Sequence, residues 1–61
     1  MKWAIKHNET GQLFSQFNEC TGEMIFDSSD PYVYAREVDA LFVIHVTGEY
    51  KNCSVQQIEE N

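Results

Sequence analysis

Two pieces of backbone chemistry, Asp30-Pro31 and Gly48, divide this chain before any other reading begins. Asp30 is a good helix N-cap, and a proline at the first helical position gives up no hydrogen bond, because that N–H has no partner inside a helix. Gly48 stands where a left-handed C-terminal cap belongs. Between these marks the sequence predicts a helix over about 31–46. At about 100° per residue, Tyr34, Ala35, Val38, Leu41, Phe42, His45 and Val46 share one wide arc, the face expected on the core. Arg36, Glu37, Asp39 and Thr47 fall on the other side. The run Leu41-Phe42-Val43-Ile44-His45-Val46 is rich in β-branched residues and, on composition, also reads as a buried strand. The cap chemistry and the arc favour the helix.

The residues before Asp30 read as short strands. Trp3, Ile5 and His7 alternate with Lys2, Ala4 and Lys6, the period of a strand with one buried face. Asn8-Glu9-Thr10-Gly11 is a turn, a second strand covers about 13–18, Cys20-Thr21-Gly22 turns again, and Met24-Ile25-Phe26 is a third strand. Connections this short join antiparallel neighbours. After Gly48, the segment from Cys53 to Glu60 is expected to return as a strand beside the first. Val55 and Ile58 lie three apart, and Ser54 with Gln57 also resembles a capping box. The edge that a three-stranded sheet would leave open favours the strand. The expectation is one α+β domain over 1–61, a βββαβ antiparallel sheet with its helix on one face. Its core would hold Trp3, Ile5, Leu13, Phe17, Met24, Phe26, Tyr34, Val38, Leu41, Phe42 and Val55.

Size and charge narrow the function. At 61 residues the chain buries only about 60% of its unfolded surface, leaving little room for a catalytic pocket of ~300 Å³ beside a core. Ten Asp and Glu against four Lys and Arg give a net charge of −6. Such a surface repels nucleic acid and anionic membranes and suits a basic partner. No apolar run reaches the ~18 residues of a membrane span, and no apolar leader follows Met1-Lys2-Trp3, so a cytoplasmic setting is expected.

Little in the sequence points to catalysis, a metal or a cofactor. His7, His45, Cys20 and Cys53 have zinc-ligand chemistry, but no two lie close in sequence. A Cys–His nucleophile needs positive charge near its thiol, whereas Glu19 adjoins Cys20 and Lys51 alone lies near Cys53. Glu59 and Glu60 sit at the chain end, and Gly11, Gly22 and Gly48 are isolated turn residues. Whether Cys20 and Cys53 pair is left open.

A contact surface is the stronger expectation. Val33, Glu37, Ala40 and Ile44 follow i, i+4, i+7, i+11 spacing, an apolar stripe expected on the outer side of the helix beside Asp39. Glu23, Asp27 and Asp30 surround the third strand and the expected helix start. Together these residues are the expected partner-binding set, with the aliphatic side chains as anchor and the carboxylates steering the encounter. Two alternatives use the same features: self-association through the stripe or an open strand edge, and mimicry of DNA phosphates by the carboxylates.

The early strand Trp3-Ala4-Ile5, the Asp30-Pro31 junction, the small acidic composition and strands ahead of one helix together resemble small phage-encoded host-takeover proteins. That resemblance is one of layout and carries over no functional residue. It implies a non-catalytic inhibitor or modulator that occludes a host macromolecular enzyme in the host cytoplasm.

Overall fold

The computed structural model describes residues 2–58. Strand β1 (Lys2–His7) is followed by β2 (Phe14–Phe17), β3 (Met24–Phe26), helix α1 (Glu37–Val46), a short 3-10 turn (Glu49–Lys51) and β4 (Cys53–Ile58). The α+β class and the βββαβ order are as expected. β4 runs antiparallel beside β1 in unbroken register, from Lys2 opposite Ile58 to His7 opposite Cys53. The closing segment is therefore a strand, and Ser54 with Gln57 opens no helix; Glu59 and Glu60 lie outside the described residues.

The expected single sheet is divided in two. β2 and β3 form a hairpin whose register shifts between Phe14 and Gln16. It joins β1 only at the turn end, through the Lys6–Leu13 bridge and the His7 N–H donating to the Gln12 carbonyl at 2.8 Å. Beyond that point another segment wedges between the strands. Tyr32 N–H donates to the Phe14 carbonyl at 2.8 Å, while Trp3 and Tyr34 donate to each other's carbonyls at 2.9 and 2.8 Å.

This wedge corrects the expected helix start. Residues 31–34 are extended, because amides and carbonyls paired across to Trp3 and Phe14 are not available to a helix. Asp30 caps nothing. Pro31 instead opens an extended segment in which its missing N–H is not called upon, and Tyr32 and Tyr34 are residues that favour such backbone. The helix begins six residues later behind Arg36, whose backbone is extended and whose side chain makes no cap. Arg36 reaches forward to Asp39 with two hydrogen bonds, 3.2 Å from Nε and 3.0 Å from a terminal nitrogen. That pair is solvent-exposed, so water and salt screen it and it adds little to stability. The far end is as expected: 41–46 is helical, and Gly48 turns the chain out of α1 with φ +77°, a value L side chains adopt only with strain.

The larger correction concerns which way the helix faces. Ala40 and Ile44, expected outside, are buried with Ile5, Phe14 and Cys53, and Val43 packs half-buried against this cluster. Val38, Leu41, Phe42 and Val46, expected in the core, are 57%, 36%, 67% and 67% exposed. Both faces of α1 are apolar, so periodicity could not rank them. Ala40 offers a physical reason for the outcome, since a small side chain at the contact lets the helix axis approach the sheet more closely than Leu41 or Phe42 would. Phe14 is the largest fully buried side chain. Its ring meets Phe17, Phe26 and Tyr32 at centroid distances of 4.9, 6.1 and 6.3 Å. Phe17, expected inside, lies on the exposed side of that stack.

This orientation sets opposite outcomes for neighbouring residues. Ile44→Ala should destabilise the chain by about 2–5 kcal/mol, while Phe42→Ala should stay within about 0.5 kcal/mol of wild type. Urea unfolding of the two variants checks it, and the reverse order would mean that the helix is turned the other way.

Candidate functional site

The outer face of α1 is the most unusual surface of the chain. Val38, Leu41, Phe42 and Val46 follow i, i+3, i+4, i+8 spacing, so their exposed side chains form one continuous apolar strip. At the C-terminal end His45 stacks on exposed Tyr50, with ring centroids 5.6 Å apart and planes 21° apart. Singly exposed apolar residues are ordinary; a contiguous strip on one helix face is what docking surfaces show. Charged groups border it: exposed Glu37 and the Arg36–Asp39 pair at the start of the helix, Glu49 and Lys51 past its end.

The structure divides the residues expected to bind a partner. Glu37 is exposed and Asp39 half-exposed beside the strip. Val33 is half-buried in the extended segment, outside the helix. Ala40 and Ile44 are in the core, so the expected stripe offers no free surface there. Glu23, Asp27 and Asp30 are exposed but do not line one row. The Asp27 carboxylate accepts from the Ser29 N–H at 3.0 Å and the Ser29 hydroxyl at 2.6 Å, closing a local turn, and Asp30 N–H donates back to the Asp27 carbonyl. The two Ser29 hydrogen bonds hold the Asp27 carboxyl below its ordinary pKa. Glu23 stands elsewhere, on the wall of a groove.

That groove, about 410 Å³ and open to solvent, is lined by His7, Thr21, Gly22, Glu23, Met24, Phe26, Thr47 and Glu49. His7 Nδ1 accepts from the Glu9 and Thr10 amides at 3.3 and 3.4 Å, and its ring meets the Phe26 ring edge-on at 5.2 Å. These bonds hold the imidazole as a turn-forming acceptor. A second groove of about 370 Å³, lined by Phe14, Gln16, Phe17, Tyr32, Tyr34 and Val43, lies along the aromatic wedge. Among the described residues no three His, Cys, Asp or Glu side chains are grouped to hold a metal ion, and no helix is long and apolar enough to cross a membrane.

The register does bring one Cys–His pair together, His7 opposite Cys53. Both cysteines are free thiols, Cys20 exposed and Cys53 3% exposed. Burial, and secondarily the nearby charge of Glu49, raise the Cys53 pKa above the ordinary thiol value. A nucleophile would need the opposite shift. Cys53 is a packed core residue.

What sequence reasoning missed is the strip itself. Val38, Leu41, Phe42 and Val46 were all visible as one arc, but an apolar arc is read as core by default. The signal that bears on the choice is Ala40, the smallest apolar side chain on the competing face.

Two measurements follow from the thiols. Iodoacetamide should label the folded chain once, at Cys20, with Cys53 reacting only on unfolding; mass spectrometry reads the site. Cys53 also bears on alkaline stability. Its folded pKa is raised, so the native chain keeps this proton after the unfolded chain has lost it. The stabilisation is complete below the unfolded value of ~8.5 and disappears as pH climbs through the folded value. Chemical unfolding should show wild type losing more stability than Cys53→Ala between neutral and alkaline pH; parallel curves would exclude that linkage.

The chain matches no protein-family model, and neither a curated protein nor a solved structure is significantly similar to it.

Proposed function

We propose that this chain is a non-catalytic protein-binding module that acts by covering a surface of its partner, with the outer face of α1 as the contact. The observation that carries this reading is the strip Val38, Leu41, Phe42 and Val46, left in solvent by the chain's own packing. Phe42, 67% exposed at the middle of the strip, is the natural anchor, since interfaces draw most of their energy from a few large apolar or aromatic groups entering pockets. The partner surface this fits is an apolar cleft with a basic rim. Glu37 and Glu49 border the strip, and the net charge of −6 speeds encounter with a positive surface. A cytoplasmic setting belongs to the same proposal, because exposed Cys20 stays a free thiol where the medium is reducing. Phosphate mimicry has less support, since Asp27 is engaged in its own turn and Glu23 belongs to a different part of the surface.

Phe42→Asp and Val46→Asp should keep the fold, because both side chains are already in water. Against any protein retained by the immobilised wild-type chain, Phe42→Asp should weaken binding by about 2–4 kcal/mol, the range of an interface hot spot. Association should also slow as salt is raised. Surface plasmon resonance on the retained protein reads both. Equal affinity for wild type and the Phe42→Asp/Val46→Asp double variant would end the proposal.

A further inference from the structure

A second surface is unpartnered, and its backbone directions can be deduced. On β1, Trp3 exchanges hydrogen bonds with Tyr34, and His7 donates to Gln12, so the odd-numbered residues point away from β4. Asn8 donates to Asn52, so the even-numbered positions face β4. The register pairs Ala4 with Gln56 and Lys6 with Ser54. Ser54, Gln56 and Ile58 therefore hydrogen-bond inward to β1, while Cys53, Val55 and Gln57 present their N–H and C=O groups outward. Among the described residues nothing pairs with that outer edge.

Exposed edges in monomeric proteins are usually blunted by lysine, proline, a bulge or short length. β4 has none of these. It is six residues long, unbulged, without proline and without a single charge, in a chain where charge is otherwise plentiful. The flank of α1 above it is apolar as well. Val43 faces the aromatic wedge on one side of the helix, and Leu41 lies roughly 160° around the axis from it, over the β4 side.

We infer that β4 pairs antiparallel with β4 of a second copy, making a continuous four-stranded sheet, β1-β4-β4-β1, with both helices on one face. A second copy is the occupant this edge fits. β4 carries no charge, so a copy of this acidic chain can approach its open edge without carboxylates in register, and antiparallel pairing satisfies a two-fold axis with identical surfaces. A two-fold through Val55 sets that residue against itself and Cys53 against Gln57. Val55, half-buried beneath the helix in the single chain, then extends the core across the axis. A stable interface takes about 800 Å² per partner, about a fifth of the 4405 Å² this chain exposes, so the Leu41 flank joins the β4 edge in the contact. The inference rests on the contact-module reading and deepens it, because the dimer sets two copies of the Phe42 strip side by side as one platform.

Sedimentation equilibrium from micromolar to millimolar concentration should show a monomer–dimer equilibrium for wild type. Gln57→Pro removes only an outward N–H, so it should keep the fold by circular dichroism and sediment as a monomer. Amide exchange supplies a readout that needs no variant. In the dimer the Cys53, Val55 and Gln57 amides should be protected as well as those of Ser54 and Gln56, and on dilution these three should lose protection while Ser54 and Gln56 keep it. Wild type that stays monomeric at millimolar concentration, or a dimer whose Val55 and Gln57 amides exchange freely, would overturn the inference. Phe42→Asp separates the two claims: a variant that dimerises but has lost its partner supports both, and a wild type that stays monomeric yet loses its partner on Phe42→Asp sinks only this one.

Discussion

The reciprocal hydrogen bonds between Trp3 and Tyr34 determine more of this structure than any other contact. They place Tyr34 against the edge of β1 that β4 does not use, so β1 has a neighbour on both sides at Trp3. The cost is a helix. Six residues expected to open the helix stay outside it, the first four as an extended wedge, and α1 is left with ten residues. A ten-residue helix is marginal by itself and holds its shape through packing on one side. Its position follows from the wedge, with Val43 sharing a groove with Phe14 and Tyr34, and Ala40 and Ile44 packed in one cluster with Ile5 and Cys53.

The outer strip follows from this arrangement. A helix apolar on every side is normally enclosed, yet a chain of this size has material for only one layer against α1. The sheet of β1 and β4 covers the inner face, and no described element lies over the outer one. Fold and contact surface are thus two faces of one short helix. Any partner that binds the folded chain alone also stabilises it by mass action, which matters for a core built around few fully buried side chains.

Much of the architecture was legible in the residues. The strand at Lys2–His7 and the turn glycines follow local rules and are present, and β4 does return beside β1. The expected alternation of burial along β1 is absent, since Ala4, placed on the open face by its spacing, is as fully buried as Ile5. Gly48 ends the helix where its conformational freedom places the cap. The failures share one cause, which is that they were settled by long-range pairing. Asp30-Pro31 has sound cap chemistry, but Tyr32 and Tyr34 gain backbone partners at Phe14 and Trp3, far away in sequence, information no window around Pro31 contains. The helix face failed for a related reason. Val38, Leu41, Phe42 and Val46 and the set Ala40, Val43 and Ile44 are both apolar, and periodicity identifies faces without saying which meets the sheet. The contact residues named from the sequence inherited that error: the acidic border at Glu37 and Asp39 remains on the surface, while Ala40 and Ile44 do not.

Charge gives the surface a division of labour that the fold makes sense of. Carboxylates sit on turns and at helix ends, where backbone amides or the helix dipole favour them, as at Asp27 and at Glu37 and Asp39. The long strand edge and the outer helix strip carry no carboxylate of their own. A chain bearing −6 repels its copies at a distance, and that repulsion weakens in salt. Uncharged contact surfaces inside an acidic shell therefore behave differently toward two kinds of partner. A basic protein is drawn in from afar and held at short range by Phe42. A second copy must first overcome the repulsion and gains only at contact, along β4. Raising salt should then move the proposed associations in opposite directions, weakening the foreign complex and strengthening self-pairing. A single nonspecific hydrophobic stickiness would strengthen both.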